Sequence, residues 1–238
     1  MTFAVYTLLI NWKVAALLCL GIGWHEYSHI LAAKHLGMKT KGFYLVPFMG
    51  GVAFVADEYK TWFKKVFVVL MGPVGGSLPG FLLAGAYYFT GVPWLAAAAE
   101  WIMLVNLFNL LPLSFLDGGQ ITESITYSIN ETLGLAFLRI STVIATIILF
   151  KLNIVLFSLV LLFGSGQVIN AYNHWKWKRE GKEWMLPEGY MKPSLLLTTK
   201  QILISSSLYL LVVVVLGVTF LWLQSIPGAS ISYFLNHK

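Results

Sequence analysis

His25 and His29 stand four residues apart, with Glu26 beside the first, in the run His25-Glu26-Tyr27-Ser28-His29. On a helix, residues at i and i+4 share a face and lie about 6 Å apart along the axis. Two imidazoles so placed can hold one zinc ion, and the carboxylate between them can act as general base on a water at that metal. The apolar run Val14 to Gly23 leads straight into this motif, so the helix that carries it reads as a membrane span. Ionisable side chains are costly in lipid, and those found there mark functional sites. The pattern implies metal-assisted hydrolysis inside a membrane.

Two histidines leave a catalytic zinc one protein ligand short. The acids within apolar segments are Glu26, Glu100 and Asp117. Glu100 falls near the outer start of its span, where a carboxylate beside a helix N-terminus can reach the interface. Asp117 falls at the opposite end of that span, after Asn109-Leu110-Leu111-Pro112-Leu113-Ser114-Phe115-Leu116. The first and third spans run the same way through the membrane, which brings Asp117 to the depth of the two histidines. Cys19 is alone and inside a span, so it offers neither a disulfide nor a thiolate cluster and reads as a small packing residue. His35 lies off the ligand face near the interface. Like His237 in the polar tail, it reads as solvated.

The elements that must position these groups follow from composition. Of 238 residues, 58% are hydrophobic and 11% charged, with a mean hydropathy of +0.77; soluble domains carry about 25% charged residues. Apolar periodicity marks about six spans, each long enough for a hydrocarbon core of about 30 Å. They cover roughly Phe3 to His35, Trp62 to Phe89, Trp94 to Phe115, Leu133 to Phe150, Leu152 to Ala171 and Gln201 to Leu223. Phe3 to Ile10 reads as the outer end of the first span rather than a signal peptide, since no basic segment precedes it and Lys13 interrupts it. The fold class is an all-α polytopic membrane protein. The expected division is a five-span core over 1–171, a basic aromatic cytoplasmic loop over 172–200, and a sixth span with a short tail over 201–238.

Between the first two spans, Gly42 to Val55 is aromatic, β-branched and broken by Pro47 and Gly50-Gly51, which favours a small membrane-associated β-hairpin. In the second span Gly72, Gly76 and Gly80 recur every four residues and form a face for close helix packing. Pro73 and Pro79 should kink that span. His174, Trp175, Trp177 and Trp184 among lysines mark an interfacial belt, an amphipathic surface helix being favoured over a substrate-docking loop.

Lys34, Lys39, Lys41, Lys60, Lys64 and Lys65 flank the first connection, and Lys176, Lys178, Arg179, Lys182, Lys192 and Lys200 the last. Excess positive charge places both in the cytoplasm, with the motif helix delivering its histidines toward that side. The net charge of +6 and pI near 9.3 therefore reflect topology and anionic lipid headgroups, and no nucleic-acid partner is expected.

With both motifs in view, the chain resembles the site-2 protease family of intramembrane zinc metalloproteases. The resemblance rests on His25, Glu26 and His29, then Asn109, Pro112, Asp117 and Gly118, with Met71-Gly72-Pro73-Val74-Gly75-Gly76 between them. It implies one zinc per chain held by His25, His29 and Asp117, with Glu26 as the base. It also implies that Asn109, and hairpin strands carrying Gly50 and Gly51, hold an unwound substrate. Substrates would be single-span or membrane-tethered proteins cut in or near their transmembrane segment, in a prokaryotic cytoplasmic membrane. The size suits the compact type without a PDZ domain, which leaves substrate selection to loops or to a regulatory membrane protein. Two other readings compete. A catalytically silent membrane chaperone or scaffold would not need Glu26. A metal transporter would string ionisable groups across the bilayer, whereas these cluster at one level.

Overall fold

The computed structural model describes residues 2–9, 12–46, 50–55, 59–113, 116–151, 169, 172–185, 195–227 and 233. It is helical apart from one two-stranded sheet. The helices are α1 (Thr2–Leu9), α2 (Trp12–His35), α3 (Trp62–Thr90), α4 (Pro93–Asn109), α5 (Asp117–Ile129), α6 (Glu131–Lys151), α7 (172–179) and α8 (Thr199–Gln224). The strands β1 (Thr40–Val46) and β2 (Gly50–Val55) lie between α2 and α3. They pair antiparallel, with Leu45 opposite Gly51 and Val46 opposite Gly50, and an irregularity between Thr40 and Gly42. The expected hairpin is therefore present.

The chain divides into two units, one of residues 1–58, 70–110 and 210–238, the other of 59–69 and 111–209. In the first, α2 packs on α4 through small residues. Ala96, Ala97, Ala98 and Ala99 are all fully buried, and Ala97 and Ala98 form a core with Val14, Leu17, Leu18, Leu83 and Trp101. In the second unit, α5 and α6 pack around Tyr127 and Leu135, against Trp62 and Trp175. Trp62 meets the Tyr127 ring edge-on at 6.3 Å. An ion pair between Lys65 and Glu123 at 3.3 Å joins the start of α3 to α5. α7 docks on α6, where Lys178 pairs with Glu131 at 2.9 Å and Arg139 lies 4.2 Å over the Tyr172 ring. This helix is the expected one in the basic aromatic segment.

Several span limits need correction. The first expected span is two helices, α1 and α2. The third stops at Asn109 rather than Phe115. Leu111 precedes Pro112, a position biased away from helix, and Pro112 itself has no N–H to donate. Leu110 closes α4 by donating to the Leu107 carbonyl at 3.1 Å, and α5 begins at Asp117. Asp117 is thus not the inner end of a span but the first residue of a further helix, α5, which is too polar to be read as a span. Among the described residues two helices, α3 and α8, are long and apolar enough to cross a membrane, so the six-span count is not reproduced. α2 falls short because it carries Lys13, His25, Glu26, His29, Lys34 and His35, and α4 because it has 17 residues. The fifth expected span, apart from Ile169, and His237 lie outside the described residues.

α8 is apolar on every side, and Leu210, Val214, Val218 and Leu221 are each more than half exposed, a surface suited to lipid. α3 runs through Pro73 and Pro79 as one helix. Pro79 cannot donate to the Gly75 carbonyl four residues back. The indole Nε1 of Trp24 does so instead, at 3.0 Å, and ties α2 to α3 beside the histidine motif.

Candidate metal centre

α2 turns its polar residues inward at the motif. His25, Glu26, Ser28 and His29 are buried, while Trp24, Tyr27 and Leu31 on the other side are exposed. The one-turn spacing puts His25 Nε2 and His29 Nε2 3.1 Å apart, with the rings edge-on. On the far side of the His25 ring, Nδ1 meets the Oδ1 of Asn106 at 2.9 Å. Asn106 comes from α4 and is fully buried; its Nδ2 donates to the Ile102 carbonyl at 2.8 Å.

The third wall is α3. A Cβ at Gly72 would overlap the ring of His29, and one at Gly76 would overlap Asn106 Oδ1 and stand 3.0 Å from His25 Cβ. At Gly75 it would meet Ser28 Oγ at 2.5 Å, and at Gly80 Met103 Cε at 2.9 Å. The glycine face expected for helix packing is real, and its upper part packs against the histidines themselves.

Asp117 opens α5 and is buried. Tyr59, in the same unit, feels it. Burial, and after it the Asp117 charge, push the Tyr59 phenol above its ordinary value. His25, His29 and Asp117 each offer one ligand atom, and these three atoms lie within 4.8 Å of one another. Among the described residues this is the group of histidines and acids that could hold a metal ion.

The donor set fits zinc. Two nitrogens bound to one tetrahedral zinc at about 2.0–2.1 Å lie roughly 3.3 Å apart, close to the 3.1 Å between the two Nε2 atoms. Two imidazoles and a carboxylate also match the three protein ligands of a catalytic zinc site, whose fourth position stays open. Residues 1–116 match the family model described as Peptidase M50B-like. Over those residues, just under half of the chain, the protein is similar to the site-2 protease family. The match covers α1 to the end of the α4 connection and stops one residue before Asp117, so the third ligand rests on geometry. No curated protein matches the chain. Members of this family are zinc metalloproteases, which makes protease the activity to test, and the family together with the two apolar helices points to a membrane protein.

The other expected site residues are placed as follows. Asn109 is half-buried at the end of α4, where its Nδ2 donates to the Val105 carbonyl at 3.0 Å. Gly50 and Gly51 open β2, opposite Val46 and Leu45. Glu100 does not reach an interface. It is 2% exposed within α4, because the four alanines before it let neighbouring segments close over that face. His35 is exposed, as expected. Asn106 was missed. Its signal was a carboxamide in an otherwise apolar stretch, Trp101 to Phe108, masked by the motif asparagine three residues later.

Proposed function

We propose that the chain is a zinc endopeptidase that hydrolyses a peptide bond in or near the transmembrane segment of a membrane-tethered protein. The observation that carries this reading is the convergence of His25, His29 and Asp117 beside Glu26, on a chain similar to the site-2 protease family. Held by those three residues, zinc would supply Lewis acidity and make water a nucleophile at neutral pH. Glu26 takes the proton of the attacking water and returns it to the leaving amine. The Asp117 carboxylate offsets part of the cationic charge in a low-dielectric site. An experiment tests this: reconstituted with a single-span protein, the chain should produce fragments, stop when a zinc chelator is added, and resume on zinc addition. Cleavage indifferent to chelation would remove the metalloprotease reading.

Substrate holding falls to Asn109 and to the hairpin. A helical substrate cannot be cut until its carbonyl leaves the hydrogen-bond ladder, and a free strand edge near Gly50 and Gly51 would accept the unwound segment. With one Nδ2 hydrogen on the Val105 carbonyl, Asn109 offers its Oδ1 and its second amide hydrogen to a substrate backbone. Asn109→Ala should therefore keep zinc yet slow cleavage by roughly 0.5–3 kcal/mol, about 2- to 150-fold. Loss of the metal in that variant would make Asn109 part of the zinc shell or the fold and end the substrate role.

The charge distribution orients the site toward the cytoplasm. Cysteines at Lys178 and Val92, in a Cys19→Ser background, should respond oppositely to an impermeant thiol reagent on intact cells. Position 92 should label and position 178 should not. The reverse pattern would invert the topology.

A further inference from the structure

Asn106 is a carboxamide buried in an apolar helix, and the metalloprotease reading so far gives it no task. Its orientation is decided by its own helix. If the amide were turned over, Oδ1 would face the Ile102 carbonyl oxygen, acceptor against acceptor; with Nδ2 there instead, a hydrogen bond of 2.8 Å forms. Oδ1 must then face His25 Nδ1 at 2.9 Å. An amide oxygen only accepts, so the Nδ1 of His25 carries the proton. A neutral imidazole has one N–H, so Nε2 keeps its lone pair, and Nε2 is the atom that faces His29. Gly76 holds the arrangement from the other side, since any Cβ there would overlap Oδ1.

We propose that Asn106 is a positioning residue for the metal site. It fixes the His25 tautomer and ring angle through a chain that runs from the Ile102 carbonyl, through the Asn106 amide and the His25 ring, to the metal-facing Nε2. This rests on the metalloprotease reading and adds to it a partner outside the three ligands. A metal-bound histidine whose outer N–H loses such a partner typically costs the site 10–100-fold in metal affinity.

The test compares zinc affinity, by chelator competition in detergent, for the wild-type chain, Asn106→Leu and Asn106→Asp. The visible absorption spectrum of the cobalt-substituted forms is a second readout. Leucine fills the same volume without an acceptor, whereas aspartate restores an oxygen facing Nδ1. Asn106→Leu should bind zinc roughly 10–100-fold more weakly with an altered cobalt spectrum, and Asn106→Asp should recover most of both. The metal-free thermal transition of each variant reports on the fold alone. Unchanged zinc affinity and cobalt spectrum in Asn106→Leu overturn the positioning role and leave the metalloprotease reading standing. A wild-type chain that takes up no zinc overturns both.

Discussion

Asp117→Ala is expected to strip the metal. Purified wild-type chain should hold roughly one zinc, and the variant should bind it more than about 100-fold more weakly, because even the loss of a partner behind a ligand costs 10–100-fold. The reason is the donor count. Among the described residues the group that could hold a metal is His25, His29 and Asp117, and a tetrahedral site with an open position needs all three. Asp117 also stands in the first turn of α5, where a carboxylate complements the helix dipole. Asp117→Asn, which keeps the shape, separates the two roles. Both variants should lose zinc, and the asparagine should keep more of the fold. Full zinc content in Asp117→Ala would place the third ligand elsewhere.

Gly72→Ala should do comparable damage from outside the ligand set. Helix propensity alone favours alanine over glycine by about 1 kcal/mol, so in an open position the change would stabilise α3. At Gly72 the added methyl would overlap the His29 ring, and the ring must leave the place where its Nε2 faces that of His25. We expect Gly72→Ala to fold and to lose most of its zinc and its cleavage. Gly85→Ala, on the same helix with nothing within 4 Å of the new Cβ, should be neutral or stabilising. Zinc affinity and thermal unfolding of the pair make the comparison. Equal zinc affinity in the two variants would mean that the Gly72 contact does not constrain the histidine.

The i, i+4 histidine pair with its glutamate was legible as a local pattern, since helix geometry alone puts the two rings on one face. Asp117 does lie within reach of the pair, but on α5 and not at the end of the span expected to carry it. The hairpin was legible from Gly50-Gly51 and the β-branched residues around it. What sequence hides here is tertiary. Asn106 matters only because α4 brings it to the back of His25, and nothing in its own neighbourhood marks that contact. Glu100 looked like an interfacial carboxylate, since its cover depends on what packs over Ala96 to Ala99. The end of α4 at Asn109 is hidden in composition, because the apolar run continues past Pro112 to Phe115 while the proline ends the helix. α5 was overlooked for the converse reason. Its sequence, with Gly118-Gly119 and several Ser and Thr residues, looks like a loop, but Ile121, Ser124 and Tyr127 fall on one buried face.

The central claim is that Glu26 does chemistry on a zinc site it does not help to build. The most direct measurement is therefore made on Glu26→Gln, reading zinc content and cleavage of a reconstituted single-span protein side by side with the wild type. The expected result is wild-type zinc content with cleavage reduced by at least about 100-fold, as befits loss of a general base. Cleavage at the wild-type rate by Glu26→Gln would contradict the account.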